Sequence, residues 1–255
     1  PGELIAPAGI AVVGEQVYVA DSANDRVQVF DLRGKPISCI GTFGSDKGQL
    51  RRPVGVAVDR EGRMFVLDRD NSRVQVFDAR GGHVSEWGQW GPFPGMLEGS
   101  QGLFCRAGQT FIADTLNHRV QVFDAQGRPA YQWGLHAFMP RDGLGKLHYP
   151  NAIAVAPSGR FAVVCEGFEN RCQIFDAMPP GQSPPTSPFV INDPTANAHF
   201  GTSGSISANL IALTEMEVQQ AAIHNFAGGS PVQIALIGGF GVRPGQFVRP
   251  AGVDL

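Results

Sequence analysis

The chain of 255 residues is poor in cysteine and in charge. Its four cysteines are too few for a small fold held together by disulfides, and only 17% of its residues are charged. The formal net charge is −3, so the basic excess typical of nucleic-acid-binding proteins is missing. No run of about 18 apolar residues occurs, so the sequence predicts no membrane-spanning helix.

Glycine and proline, in contrast, are abundant, with 33 and 19 residues spread along the whole chain. Regular punctuation of this kind is typical of many short strands joined by tight turns. Hydrophobic residues make up 43% of the chain, which at this length is enough for a substantial core. The composition therefore favours an all-β globular protein.

One twelve-residue phrase occurs four times. The copies are ADSANDRVQVFD at 20–31, LDRDNSRVQVFD at 67–78, ADTLNHRVQVFD at 113–124 and CEGFENRCQIFD at 165–176. Their closing aspartates lie 47, 46 and 52 residues apart. A repeat with a period in the forties indicates one supersecondary unit used several times, as in a propeller or a solenoid.

Each copy of the phrase predicts a β-hairpin. In the first copy, pairing Asp21 with Arg26 leaves a loop of residues 22–25, a common hairpin length. This register places Ala20 opposite Val27, and opposite charges close the hairpin at its loop end.

Two further strands flank this hairpin, at residues 7–12 before it and 37–41 after it. Four strands per period with apolar residues on both faces describe a sheet packed between similar sheets, which is the blade of a β-propeller. A fifth unit is degenerate: its second strand is expected at 211–214 and its last strand within 234–241, without the Asp/Arg signature.

The two ends of the sequence resemble each other, because residues 244–253 repeat the pattern of residues 1–10. We therefore expect residues 1–255 to form a single propeller that is a fragment of a longer one, with five units and the first strand of a sixth. A proline-rich stretch suggests that residues 177–200 form an exposed insertion between units four and five.

The phrase [DE]-x-x-N-x-R-[VI]-Q-[VI]-F-D, preceded by P-x-G-[VI]-A-V-D and followed by [WI]-G-x-[FW]-G, resembles the NHL repeat family. The central phrase recurs in units one to three and both flanking phrases are complete in unit two, whereas unit four has Glu166 for the aspartate and Glu169 for the asparagine. The resemblance implies a β-propeller, usually six-bladed. The family includes ligase-linked RNA or protein binders, bacterial sensor domains and a copper-independent amidating lyase.

The most conspicuous polar residues recur in every regular unit, whereas catalysis needs one asymmetric constellation. We therefore interpret them as structural pairs that satisfy loop backbone groups. They are Asp21, Arg26, Asp68, Arg73, Asp114, Arg119, Glu166 and Arg171.

The amidating lyase of this family uses a zinc site built from histidines of several units. In this chain Asn151 occupies the position at which that pattern has a histidine. His118 lies at a hairpin-loop position that is expected to be solvated. No two histidines share a metal-ligand spacing on one element. We predict no metal and no cofactor, with a metal-dependent propeller lyase or hydrolase kept as an alternative.

The hairpin register makes Cys165 and Cys172 direct cross-strand neighbours. They are either two small apolar residues of the core or a disulfide, which this arrangement allows. Cys39 and Cys105 are expected at ordinary buried positions.

Two linkers, 88–101 and 134–150, suggest a partner site because they are expected to interrupt the repeat. We also expect them to emerge on the hairpin-loop face, which is the face of the propeller that carries the loops of the central hairpins. They either fill gaps between blades or form an exposed patch that binds another polypeptide. The residues assigned to such a patch are Trp90, Phe93, Met96, Phe138 and Met139.

We therefore predict a non-catalytic binding or scaffold module that engages a protein partner or a larger assembly through the hairpin-loop face. The main alternative is an RNA-binding NHL domain, which the slightly acidic balance disfavours.

Overall fold

The structure is a computed structural model. It describes residues 2–136, 143–159, 161–176, 189–192, 200–207, 210–215, 220–226 and 231–238. Nearly all of its regular elements are β-strands, arranged in five four-stranded antiparallel sheets. The all-β class and the four-stranded blade predicted from the repeat are therefore confirmed.

The chain divides into two compact units. The first comprises Pro1–Leu116 and Gln121–Ala130, and the second comprises Asn117–Val120 and Tyr131–Leu255. The first and second sheets lie in the first unit, and the fourth and fifth sheets lie in the second. The strands of the third sheet supply residues to both units.

The first three sheets contain strands β1 to β12, each sheet following chain order. The first has β1 (Pro7–Val13), β2 (Gln16–Asp21), β3 (Arg26–Asp31) and β4 (Pro36–Ile40); the second has β5 (Pro53–Val58), β6 (Met64–Asp68), β7 (Arg73–Phe77) and β8 (His83–Trp87); the third has β9 (Gly102–Arg106), β10 (Gln109–Asp114), β11 (Arg119–Phe123) and β12 (Pro129–Trp133).

The remaining strands form two more blades and a short parallel pair. The pair is β13 (Leu135–His136) with β14 (Lys146–Leu147); the fourth sheet has β15 (Ala152–Val155), β16 (Phe161–Glu166), β17 (Arg171–Asp176) and β18 (Phe189–Asn192); the fifth has β19 (Phe200–Ser207), β20 (Leu210–Glu215), β21 (Gln220–Asn225) and β22 (Val232–Gly238). Strands β20 and β22 lie where the second and last strands of the degenerate unit were expected.

The central hairpins of the first, second and fourth sheets have the register that the charge pairing predicts. Asp21 is paired with Arg26, and Ala20 with Val27, across β2 and β3. The loop between them contains the one-turn 3-10 helix Ser22–Asn24 and ends on Asp25, which has a left-handed backbone with a φ of 52°. Aspartate tolerates this conformation better than most residues, which explains its place there.

In the first unit, the inner strands of neighbouring sheets pack closely on one another. A Cβ atom added at Gly9 on β1 would lie 2.7 Å from the carbonyl oxygen of Val54 on β5, so glycine is required for this approach. Ala20, Val56 and Phe77 belong to the resulting apolar cluster between the first and second sheets.

The second unit has its own core. Ile174 and Phe175 of β17 and Ile211 of β20 are fully buried. A Cβ atom at Gly204 of β19 would lie 2.8 Å from Sγ of Cys165, so the fourth and fifth sheets also approach through a glycine. Residues 189–192, inside the predicted 177–200 insertion, form strand β18 of the fourth sheet.

The rest of that insertion, except residue 200, lies outside the described residues, and so does the repeated segment 244–253. The division into a single fragmentary propeller with an insertion at 177–200 therefore stays a prediction. Within the ranges that the structure describes, no helix has the length and apolar character needed to cross a membrane.

Candidate partner-binding surface

A buried carboxylate organises the loop end of each hairpin. In the second sheet, Asp68 accepts hydrogen bonds from Arg73 Nε at 2.8 Å and Asn71 Nδ2 at 2.9 Å. It also accepts the backbone N–H of Arg51 at 2.7 Å and the amide of Gln75 at 3.3 Å. Arg51 belongs to the connector that arrives from the preceding sheet, so Asp68 ties this connector to the hairpin.

Asp21 holds the equivalent set of partners in the first sheet. Burial acts to raise the pKa of its carboxyl, but hydrogen bonds from the backbone N–H of Ile5 and from the side chains of Asn24, Arg26 and Gln28 outweigh it. The pKa of Asp21 therefore lies below its usual value. The folded protein thus stabilises the charged form.

The third and fourth hairpins repeat the arrangement with small changes. Glu166 replaces the aspartate and pairs with Arg171 Nε at 2.8 Å. Asp114 accepts the backbone N–H of Glu98 at 2.8 Å, and Arg119 donates to Gln132 Oε1 at 3.0 Å. Seven of the eight residues of the predicted structural pairs bond to a backbone group of the segment that precedes their sheet, whereas the bond seen for Arg119 goes to the outer strand β12; the seven are Asp21, Arg26, Asp68, Arg73, Asp114, Glu166 and Arg171.

The glutamine of the repeat phrase is a second link that the sequence analysis missed. Gln75 accepts the backbone N–H of Gly48 at 2.8 Å and donates to the carbonyl oxygen of Gln49 at 2.5 Å. The same two bonds recur with equivalent residues at Gln28, Gln121 and Gln173. The recurrence of glutamine at one position of the phrase was the signal that could have revealed them.

The linker 88–101 does not interrupt the repeat, contrary to the expectation from the sequence. A parallel bridge joins Trp90 to Leu97, as another joins Phe43 to Leu50 in the preceding connector. The backbone hydrogen bonds of the two connectors also match. Leu97 N–H donates to the oxygen of Gln89 at 2.8 Å, and Leu50 N–H donates to the oxygen of Thr42 at 2.7 Å. This linker is therefore a regular connector of normal length.

The linker 134–150 is a lengthened version of the same connector. Its two ends pair as β13 and β14, and Leu147 is buried as Leu50 and Leu97 are. Leu147 lies 13 positions after Gly134, whereas Leu97 lies nine positions after Gly88, so four residues are inserted. Phe138 and Met139 fall within 137–142 and lie outside the described residues.

Two of the aromatic side chains assigned to the partner patch are strongly exposed. The exposed fraction is 71% for Trp90 and 65% for Phe93, whereas Met96 is half-buried. Phe43, at the position equivalent to Trp90, is 66% exposed. Trp90 and Phe93 therefore do not fill a gap between sheets, and sequence reasoning missed Phe43 because its connector had seemed regular.

One arginine lies beside the exposed ring of Phe43, and a second arginine nearby in sequence has a shifted pKa. The Arg51 guanidinium lies 5.8 Å from the ring centroid of Phe43, within cation–π distance. Burial and the neighbouring positive charge of Arg52 lower the pKa of Arg69, against the opposing effect of Asp70.

In the second unit, a cluster of aromatic and titratable side chains departs from the repeat. The rings of His118 and His148 stack with their centroids 5.3 Å apart, and each lies 4.5 Å from the ring of Tyr149. Nδ1 of His148 contacts the buried carboxylate of Glu169. Phe168, 72% exposed, lies at the rim.

His118 corrects one expectation, because it is only 7% exposed rather than solvated. Its Nδ1 accepts a hydrogen bond from the backbone N–H of Tyr149 at 3.3 Å. Asn151, which stands at the position of the absent zinc-type histidine, accepts the backbone N–H of Gly167 at 2.7 Å. Among the described residues, no group of three or more His, Cys, Asp or Glu side chains is placed to hold a metal ion.

Cys165 and Cys172 face each other across β16 and β17 with their sulfur atoms 3.1 Å apart, as the register predicts. Both are free thiols and fully buried. Cys39 is exposed, contrary to expectation, because it lies on the outer strand β4, and Cys105 is half-buried.

Comparison with known proteins agrees with this architecture. The sequence model of the NHL repeat matches residues 4–30 and 50–77. The chain resembles a nidogen/laminin complex with a TM-score of 0.68 at 16% identity, over 97% of this chain and 84% of that one. It also resembles the RRP9 WD40 repeats with a TM-score of 0.65 at 12% identity, over 100% and 85% of the two chains.

A third similar structure belongs to an enzyme. Virginiamycin B lyase from Staphylococcus aureus matches with a TM-score of 0.64 at 13% identity, over 89% of this chain and 69% of that one. At these identities the three likenesses show a shared β-propeller fold and leave the function open.

Proposed function

Because the chain is a β-propeller with NHL repeats, we propose that it is a non-catalytic module that binds another protein through its hairpin-loop face. The observation that carries this proposal is the exposure of Trp90 and Phe93 on one connector. Large aromatic side chains supply most of the binding energy in protein interfaces and are costly to leave in water.

The position of the connectors supports the hairpin-loop face as the binding surface. In the first unit, Asn71 of a hairpin loop donates to the carbonyl oxygen of Gly44 in a connector at 2.9 Å. Ser22 of the neighbouring hairpin loop donates to the oxygen of Pro53 at 2.5 Å. Connector side chains such as Phe43 therefore emerge beside the hairpin loops, on a rigid backbone that needs little ordering when a partner binds.

A binding experiment tests this proposal in two steps. A photo-crosslinking amino acid at position 93 is expected to capture a polypeptide that the same probe at Val84, an exposed residue of β8, does not capture. With that partner purified, Trp90→Ser with Phe93→Ser should weaken its binding by about 2 kcal/mol or more, roughly 30-fold. Val84→Ser serves as the matched control.

The proposal fails if the folded double variant binds the captured partner as tightly as the wild type does. Circular dichroism and thermal melting establish that the double variant is folded. Unchanged binding would mean that Trp90 and Phe93 lie outside the interface.

A second candidate function is the binding of single-stranded RNA. The placement of Arg51 over the exposed ring of Phe43 favours it, because stacking rings beside guanidinium groups are typical of such sites. Binding to an RNA oligonucleotide that weakens steeply with salt, and that Arg51→Glu abolishes, would support this function over the first. A lack of binding to RNA at low salt would reject it.

A further inference from the structure

Three arginines meet where the connector into the second sheet joins the hairpin loop of that sheet. Arg51 and Arg52 lie at the end of the connector, and Arg69 is the first residue of the hairpin loop. The N–H of Arg51 donates to Asp68 at 2.7 Å, and its carbonyl oxygen accepts the N–H of Asp70 at 3.1 Å. These two bonds flank Arg69 in sequence, so the three arginines share one place, which we call the arginine junction.

The repeat does not require arginine at these positions. In the other sheets, the residues equivalent to Arg51 make the same backbone bond to the buried carboxylate, and they are Ile5, Glu98 and His148. The residues that begin the other hairpin loops, as Arg69 does, are Ser22, Thr115 and Gly167. The combination of three arginines is therefore specific to the second sheet, and the framework of the fold does not explain it.

The guanidinium groups of the arginine junction have no ion-pair partner within the protein. Buried aspartates pair with Arg26 and Arg73 in the same unit. Among the residues that the structure describes, in contrast, no carboxylate pairs with the side chain of Arg51, Arg52 or Arg69, and none of the three guanidinium groups donates a hydrogen bond to the protein. The positive charge of the junction is therefore available to an external anion.

Two carboxylates lie close to the junction without balancing it. Asp25 accepts the backbone N–H of Arg52 at 2.7 Å, and Asp70 directly follows Arg69. Burial lowers the pKa of Arg69 and the nearby charge of Arg52 lowers it further, although Asp70 acts in the opposite direction. A half-buried cation beside a second cation is stabilised when an anion approaches both.

The aromatic ring of Phe43 positions one of the guanidinium groups. The ring is 66% exposed, and its centroid lies 5.8 Å from the guanidinium carbon of Arg51. Such a contact orients the cation but adds no counter-charge. Arg51 and Arg52 are exposed and Arg69 is half-buried, so all three can reach a ligand in solvent. Planar guanidinium groups recognise carboxylates through two parallel hydrogen bonds.

The size and surroundings of the junction favour a few carboxylates over a nucleic acid. A nucleic acid carries one phosphate per nucleotide and binds along an extended basic surface. Asp25 and Asp70 interrupt such a surface, and the whole chain has a net charge of −3. Phe43 occupies the connector position equivalent to that of the exposed Trp90, so the junction adjoins a side chain of the kind that binds polypeptides.

We propose that the arginine junction binds an acidic segment of the partner polypeptide, in which several Asp or Glu residues lie close together. The carboxylates pair with Arg51, Arg52 and Arg69, and the ring of Phe43 contacts the apolar part of the same segment. This inference rests on the proposed function, because it specifies the chemistry of the partner that the hairpin-loop face binds.

Fluorescence anisotropy with fluorescein-labelled hexaglutamate at low salt tests the junction directly. The variant with Arg51→Gln, Arg52→Gln and Arg69→Ser should bind this probe about tenfold more weakly than the wild type, because three ion pairs are lost. Its serine is the residue that begins the hairpin loop of the first sheet. Thermal melting establishes that the variant is folded, and the pair Arg51→Gln with Arg52→Gln, both at exposed positions, repeats the comparison without touching the hairpin loop.

A matched control removes the same charge from the opposite end of the sheets. It carries Arg33→Gln, Arg60→Gln and Arg80→Ser, three exposed positions in the turns that follow β3, β5 and β7. Because the strands are antiparallel neighbours in chain order, these turns lie away from the hairpin loops. The control should bind hexaglutamate nearly as tightly as the wild type.

Three results with these probes would overturn the proposal. The first is a wild-type protein that does not bind hexaglutamate at low salt. The second is an equal loss of binding in the junction variant and in the control, since overall charge would then account for the binding. The third is tighter binding of a single-stranded hexauridylate through the same arginines, which would assign the junction to RNA.

The partner captured through position 93 separates this inference from the proposed function. Weak binding by the Trp90 and Phe93 double variant, together with undiminished binding by the arginine-junction variant, would reject the acidic segment and retain the protein-binding module. Undiminished binding by both variants would reject both.

Discussion

The side-chain amide oxygen of Gln75 accepts the backbone N–H of Gly48 at 2.8 Å. These residues lie 27 positions apart, on the second sheet and on the connector that precedes it. The same glutamine donates to the carbonyl oxygen of Gln49, so one buried side chain satisfies two backbone groups of the connector. Such a link secures the connector without requiring any particular connector side chain.

Replacing Gln75 with leucine should lower the free energy of unfolding by about 2–3 kcal/mol. The change would leave the N–H of Gly48 and the oxygen of Gln49 without their partner, and an unsatisfied buried polar group costs about 1–3 kcal/mol. Urea denaturation measures the effect. Gln89→Leu, the same change at an exposed position, should alter stability little, and an equal loss in both variants would contradict the link.

Arg73 and Arg26 should differ in their contribution to stability although they are equivalent in the repeat. Arg73 bonds to Asp68, to Glu86 and to two connector oxygens, whereas Arg26 bonds to Asp21 and one oxygen. The Arg73 side chain is also the more buried of the two.

We expect Arg73→Ala to lower the free energy of unfolding by about 2–3 kcal/mol and Arg26→Ala by about half as much, because lost hydrogen bonds to charged groups cost most where they are buried. Thermal and chemical denaturation of the two variants check the order. The structural interpretation of these pairs would be wrong if Arg73→Ala melted like the wild type.

The hairpins could be predicted from sequence because local chemistry determines them. Opposite charges at Asp21 and Arg26, a four-residue loop and alternating apolar residues all specify one register. The strand period then extends this register to every blade in which the phrase recurs. The position of Cys165 opposite Cys172 followed from the same reasoning.

The connectors were harder to interpret because their conserved geometry lies in the backbone. The spacing of Gly41 and Leu50 equals that of Gly88 and Leu97, but the intervening side chains differ, and the aromatic content of the second connector suggests an irregular loop. The glycine-to-leucine spacing therefore indicates a regular connector, whereas the composition of the connector does not.

The His118 cluster could not be predicted, because it depends on a contact between residues 31 positions apart. The approach of Tyr149 to His118 follows from two left-handed backbones, which the residue types histidine and tyrosine do not suggest. The one available signal was Glu169, which replaces the asparagine of the other three hairpins.

The four thiols should differ sharply in reactivity. Burial raises the pKa of the Cys105 thiol to about 12. Burial, together with the adjacent Cys165 and Glu166, raises the pKa of Cys172 well above its usual value. Since the thiolate is the reactive form, neither should be alkylated in the folded protein at pH 8, whereas the exposed Cys39 should react readily.

Mass spectrometry after brief treatment with iodoacetamide distinguishes these sites. All four cysteines should react in denaturant, which provides the control. Modification of Cys172 in the folded chain at the rate of Cys39 would contradict the burial seen for the cysteine pair.

Asp21 should make the protein less stable in acid. Its pKa in the folded state lies below the ordinary value of 3.8, because the hydrogen bonds from Ile5, Asn24, Arg26 and Gln28 outweigh the effect of burial. A lowered pKa contributes stability that is fully present above the unfolded-state value and is lost as the pH falls through the folded-state value.

We expect Asp21→Asn to lower the free energy of unfolding by about 2 kcal/mol at pH 7, because the side-chain NH2 of asparagine would face the N–H donors that bond to the carboxylate. The variant should also show a flatter fall in stability between pH 5 and pH 2.5. Melting temperatures over this range, with the exposed Glu15→Gln variant expected to follow the wild type, measure the effect. A variant at Asp21 that loses stability with acid as steeply as the wild type would mean that other carboxylates carry this dependence.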